Sequence, residues 1–166
     1  MSDSAGDGKR TSRIEKMLAR ARSGLRRLEA AELPEALARG AVLVDVRPAA
    51  QRAFEGPLPA ALVIERNVLE WRCDPTSPSR LPQAVDDDVE WVVVCSQGYT
   101  SSLAAAALQS LGLHRASDVI DGYQGIAAAG LLKMLATAGS PGSPDLLNVR
   151  FYPESNLAAA VPPPRR

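Results

Sequence analysis

The chain has 166 residues, 46% of them hydrophobic, enough for one domain with its own core. Its 19 Lys and Arg balance 19 Asp and Glu, so no net charge draws nucleic acid to the molecule and no DNA partner is expected. No apolar run approaches a membrane span, the start MSDSAGDGKRTSRIEK lacks a signal core, and only Cys73 and Cys95 are present; a soluble, cytoplasmic protein without a disulfide scaffold is expected.

Residues 1–11 are mostly small or charged and read as disordered. Ile14, Met17, Leu18, Ala21, Leu25 and Leu28 then recur at helical spacing, so residues 12–32 read as an amphipathic accessory helix. The opposite face is basic, with eight Lys or Arg and a single Glu between Lys9 and Arg27. That face is expected to be solvated, with an acidic partner, RNA or a membrane surface as the alternative.

The main domain is read over residues 33–137. A short helix over 34–39 leads into Ala41-Val42-Leu43-Val44-Asp45-Val46, a run whose brevity and valines favour a strand buried on both faces. Similar runs lie at 61–64, 90–94 and 118–120, separated by helix-compatible pieces at 49–54, 68–71, 101–111 and 124–129. This alternation predicts an α/β fold, a parallel sheet flanked by helices, with binding sites beyond the carboxyl ends of the strands. Residues 138–166 hold six of the thirteen prolines and read as a Gly/Ser/Pro-rich disordered tail, whose Phe151 and Tyr152 could dock on the domain.

Cys95 ends the third strand, and a helix is expected to begin near Thr100 or Ser101. The loop between must curl back within six residues; Gly98 gives it conformational freedom, and Thr100, Ser101 and Ser102 are good helix-capping residues. Such a curl turns backbone N–H groups inward and makes a nest for an anion at a helix start, where a sulfur anion on Cys95 would sit. Lowering a free thiol's ordinary pKa of about 8.5 by two units takes roughly 2.7 kcal/mol. A helix terminus contributes only about 0.3–1 kcal/mol, so the loop's hydrogen bonds must supply most of the rest. Ser96 to Thr100 contain no Lys, Arg or His, so amides and hydroxyls, without a local positive charge, are the expected activators.

Leu43-Val44-Asp45-Val46-Arg47, Gly56-Pro57-Leu58-Pro59-Ala60-Ala61, Val92-Val93-Val94-Cys95-Ser96-Gln97-Gly98-Tyr99-Thr100-Ser101 and Val119-Ile120-Asp121-Gly122-Tyr123 together resemble the rhodanese-like sulfurtransferases, over roughly residues 33–132. The resemblance implies an α/β domain whose loop cysteine cycles between thiolate and persulfide. It makes Cys95 the sulfur acceptor, Ser96, Gln97, Gly98, Tyr99, Thr100 and Ser101 its cradle, and Asp45 and Arg47 braces for the surrounding loops. It also implies a small sulfur donor, and a thiol or a sulfur-carrier protein as acceptor. Family members that use thiosulfate often carry a basic residue in this loop; the neutral loop here looks closer to the mercaptopyruvate-using branch. The family's basic residue four positions after the Asp-x-Arg arginine is here Gln51, with Arg52 following.

Arg52, Arg66 and Arg72 are the candidates for attracting an anionic donor, against an ordinary place on the surface. Cys73 could relay sulfur or simply pack, and His114, the only histidine, reads as a surface residue. No metal-ligand cluster or phosphate-binding glycine loop is seen, so no metal or cofactor is expected. A cysteine phosphatase would need Arg six positions beyond the cysteine, where this chain has Ser101. Two readings result: a sulfurtransferase working through a Cys95 persulfide, or a catalytically weak rhodanese-like binding or regulatory module.

Overall fold

The computed structural model describes residues 10–138. The helix α1 (Arg13–Ser23) opens on Ser12, whose hydroxyl accepts from the Glu15 N–H while the Glu15 carboxylate accepts from the Ser12 N–H. A short 3-10 turn and α2 (Leu33–Ala38) lead into β1 (Val42–Asp45), followed by α3 (Ala49–Glu55), β2 (Leu62–Val63) and α4 (Leu69–Cys73). After β3 (Trp91–Val94) come α5 (Thr100–Ser110), β4 (Ser117–Asp118), α6 (Gly122–Ala128) and α7 (Leu132–Thr137). The strands form one parallel sheet in the order β2-β1-β3-β4, with Asp45 beside Val94 and Val93 beside Asp118.

Alternation along each strand fills both faces. Val44, Val93 and Cys95 join the core under α4 and α5, whereas Leu43, Val92 and Val94 join the core that holds Ala36, Ile126 and Leu135 of α2, α6 and α7. The first three expected strands are present but shorter than their apolar runs, and β4 starts one residue earlier than the expected 118–120 and ends at Asp118. The helix α7 has no counterpart in the sequence reading; it anchors Leu135, fully buried, on the second core.

The accessory helix is also shorter than expected. It stops at Ser23, with Gly24 as its C-cap, instead of running through residue 32. The cause is competition for Leu28, which has extended backbone and pairs with Val119: Leu28 N–H donates to Asp118 O at 2.9 Å, and Ile120 N–H donates to Leu28 O at 2.8 Å. An open sheet edge offers these hydrogen bonds together with full burial of the side chain, which a further helical turn would forgo. Within the helix, Leu18 is buried, whereas Ile14 and Met17 remain exposed. The expected disorder of residues 1–9 and of the tail beyond 138, and the docking of Phe151 and Tyr152, fall outside the described residues.

Candidate active site

The strand β3 delivers Cys95 to the carboxyl end of the sheet. Its Sγ accepts hydrogen bonds from the Gly98 N–H at 3.2 Å and the Ser101 N–H at 3.3 Å. No side chain caps α5, whose N-cap is Tyr99; the sulfur itself takes the Ser101 amide in place of the expected Thr or Ser cap. The sulfur therefore faces the positive end of an eleven-residue helix. Two glycines make the curl possible. A Cβ on Gly98 (φ +78°) would lie 2.9 Å from Asp121 N, and one on Gly122 (φ +55°) would lie 2.3 Å from Cys95 O. That tight approach lets α6 hold the loop, with Tyr123 N–H donating to Cys95 O and Gln124 N–H to Ser96 O.

Cys95 opens on a cavity of about 300 Å³, walled by Val46, Arg47, Pro48, Gln51 and Arg66 on one side and by Ser96, Gln97, Tyr99 and Thr100 on the other. Arg47 is fully buried and committed: Nε and Nη2 hold Asp45, Nη1 donates to Glu55 at 3.0 Å, and Nη2 also reaches Gly56 O. Its guanidinium lies 3.8 Å from the centre of the Tyr123 ring, and the Tyr123 hydroxyl donates to Glu55 O. Burial pushes the Glu55 carboxyl up, but hydrogen bonds from Ser96, Arg47 and Gln124 outweigh it and hold Glu55 below its ordinary value. Asp45 and Arg47 thus tie the ends of β1, α3 and α6 together, and Glu55 extends this frame to Ser96.

The three candidate donor-binding arginines separate. Arg66 is on the cavity wall, partly exposed and paired with Glu70 at 2.8 Å. Arg52 turns away to the carbonyl of Arg47 and to Glu65, while Gln51 takes the place at the wall. Arg72 is not at the site. The helix α4 directs it into the interior, 6% exposed, where Nη1 donates to Ser79 O at 2.7 Å. Cys73 beside it is wholly buried, and burial, with Glu70 adding, pushes its thiol far up. His114 is exposed and pairs with Asp88.

Positive charge reaches the loop after all, from α1 and the strand-like segment that follows it. Arg22 Nη2 and Arg27 Nη2 both donate to Gly98 O, at 2.8 and 3.0 Å. A trans peptide directs the following N–H, that of Tyr99, away from the two cations. Arg22 also donates to the Ser102 hydroxyl and lies over the Tyr99 ring. Arg27 makes a bidentate pair with Asp118, at 2.8 and 3.0 Å. The basic segment is therefore not simply a solvated face. Asp118, fully buried at the end of β4, was not foreseen as a site residue; its signal was a charged residue beside an otherwise apolar strand. Among the described residues, no cluster of three or more His, Cys, Asp or Glu could hold a metal ion, and no helix is long and apolar enough to cross a membrane.

A parallel α/β domain that presents a cysteine in an amide-lined curl, braced by an Asp-x-Arg strand end, defines a recognisable class. The rhodanese-like domain family matches residues 29–129, and the chain belongs to that family. A Rhodopseudomonas palustris protein of unknown function, a possible tyrosine phosphatase, is similar with a TM-score of 0.64 and 30% identity, over 73% of this chain and 93% of its own. CoADR-RHD of Bacillus anthracis shares the fold at 19% identity and a TM-score of 0.50, over 67% of this chain and 18% of its own. A human single-domain sulfurtransferase aligns at 25% identity and a TM-score of 0.47, over 61% of this chain and 95% of its own. No curated protein matches the chain.

Proposed function

We propose that the protein is a sulfurtransferase that moves sulfane sulfur from a small anionic donor to an acceptor thiol through a Cys95 persulfide. The observation that supports this best is the double amide cradle on Cys95 Sγ at the mouth of a small cavity. A sulfur anion there has N–H donors already in place, so its stabilisation needs no reorganisation of the loop. The Cys95 thiolate attacks the outer sulfur of the donor. A new S–S bond forms to Sγ as the donor's bond to that sulfur breaks, and the donor's remainder leaves with the electron pair. An acceptor thiolate, free or on a sulfur-carrier protein, then attacks the outer sulfur of the persulfide, and Cys95 departs as thiolate.

Arg66 is the cation on the cavity wall with exposed surface, and it is the group that would face the donor's anionic end. The loop carries no cationic side chain of its own, Arg22 and Arg27 reaching it only at the Gly98 carbonyl, which suits a donor of the mercaptopyruvate type, whose charge sits away from the sulfur. Phosphatase chemistry, raised by the Rhodopseudomonas protein, is disfavoured because Ser101 stands where a phosphoryl group would need a guanidinium fork. The test is intact-mass measurement after incubation with mercaptopyruvate or thiosulfate. One added sulfur on the wild type and none on Cys95→Ser is expected; sulfur gain by Cys95→Ser overturns Cys95 as the acceptor, and none by the wild type with any donor overturns the reading in favour of a binding module.

A further inference from the structure

One side-chain contact of Cys95 lies outside the amide cradle. Ser101 Oγ is 3.3 Å from Sγ and also 2.9 Å from Asp118 Oδ2. A serine hydroxyl has one proton, and a carboxylate only accepts. The shorter, charge-assisted bond to Asp118 takes that proton, which leaves the Ser101 oxygen to accept from the Cys95 S–H. Asp118 is locked in place by two bonds from Arg27 and by the Ser102 hydroxyl at 2.9 Å. The result is a directed chain, from thiol to Ser101 to Asp118, fixed at its far end by Arg27. Arg27 lies before residue 29, where the family match begins.

We propose that Asp118, by holding the Ser101 proton, sets how readily the Cys95 thiol ionises, with Ser101 as the switching donor and Arg27 as the anchor. While the thiol keeps its proton the Ser101 proton is on Asp118, so the thiolate gains the Ser101 hydroxyl only by drawing it away from Asp118, which offsets part of that stabilisation. When the thiol proton leaves to solvent through the cavity mouth, the Ser101 O–H turns from Asp118 Oδ2 to the sulfur anion. Asp118 then keeps Arg27 and Ser102 as partners, so the turn leaves no buried charge unpaired. Asp118 is thus a positioning residue that acts through Ser101. The other charged or titratable groups around the loop are Arg47 and Arg66 across the cavity, Glu55 behind Ser96, Arg22 and Tyr99 at the Gly98 end, and Asp121 packed outside Gly98. None of these touches the Ser101 hydroxyl.

The inference rests on reading Cys95 as the nucleophile of the site, but its test needs no sulfur donor. The pH dependence of Cys95 alkylation by iodoacetamide, followed by peptide mass spectrometry on the full chain, gives a midpoint for each variant. Ser101→Ala removes the donor to the thiolate and raises the midpoint, by less than the roughly one pH unit of a full charge-assisted hydrogen bond because the bond to Asp118 is given up in exchange. Asp118→Asn frees the Ser101 proton for sulfur and lowers the midpoint, and this effect shrinks in the Ser101→Ala background. Loosening of the loop as a whole would instead move both variants the same way. Shifts of equal sign, no shift, or an Asp118→Asn effect undiminished by Ser101→Ala overturn the proposal. Should Asp118→Asn not fold, Ser102→Ala replaces it: with one donor fewer, Asp118 holds the Ser101 proton harder and the midpoint rises, and an unchanged midpoint overturns the proposal. A protein that alkylates as described yet gains no sulfur would refute the transfer reading alone.

Discussion

At the scale of single residues, the site depends on where a few atoms can approach. Gly122 sits at φ +55° with its Cα against the Cys95 carbonyl, so any side chain there meets both backbone strain and a clash. Gly122→Ala is expected to lose about 1–3 kcal/mol from the backbone conformation alone, read as a lowered urea midpoint, and to slow Cys95 alkylation as the loop shifts. Arg66 tests a different property. Its pairing with Glu70 is partly exposed and therefore weak, so the guanidinium is free to exchange Glu70 for an anionic donor. Arg66→Ala should raise the donor KM by roughly tenfold, the loss of about one charged hydrogen bond, while alkylation by neutral iodoacetamide stays unchanged. An unchanged KM would remove Arg66 from donor binding.

At the scale of elements, the segment from α1 to Leu28 is the part whose role differs most from its sequence reading. Its amphipathic spacing is real, but only up to Ser23; beyond that, Leu28 obeys the edge of the sheet and not the helical period. The same change of direction carries Arg27 beneath the active loop. Asp118 is fully buried and the Arg27 side chain is only 17% exposed, and removing one partner of such a pair leaves a poorly compensated charge. Arg27→Met is therefore expected to cost about 3–5 kcal/mol, measured by urea denaturation at neutral pH. A loss below about 1 kcal/mol would place this pair with ordinary surface salt bridges.

At the scale of the whole molecule, carboxylates held by arginines stand at both ends of the sheet. Glu55 anchors the loops at the carboxyl ends. At the amino ends, hydrogen bonds from Arg39, against burial, hold Glu90 below its ordinary value. Both are lower in the folded chain than the ordinary 4.5, so the stability they contribute is fully present above that value and is lost as pH falls through the lowered ones. Urea unfolding from neutral to acid pH should show this decline. In a Glu55→Gln/Glu90→Gln variant the decline should be shallower, and its deficit against the wild type largest near neutrality. A deficit that stays constant down to strong acid would show that neither carboxylate contributes through its charge.

Alternation of short valine-rich runs with helical pieces, a cysteine at a strand end and a neutral six-residue curl are local patterns, and the sequence by itself determined them: the parallel α/β sheet, the family and the position of Cys95 were all legible there. Local spacing carries them because strand burial and helix starts depend on neighbours a few residues away. The tertiary structure alone decided which charges serve the loop. Arg22 and Arg27 meet Gly98 across 76 and 71 residues of chain, and Arg27 meets Asp118 across 91. Nothing in the periodicity of a basic helix reports such partners, because a guanidinium finds its acceptor through the packing of distant elements. Arg72 makes the converse point. Its sequence neighbourhood suggested a loop near the site, but α4 turned its side chain inward, and the direction of a side chain on a short helix is settled only by what the helix packs against.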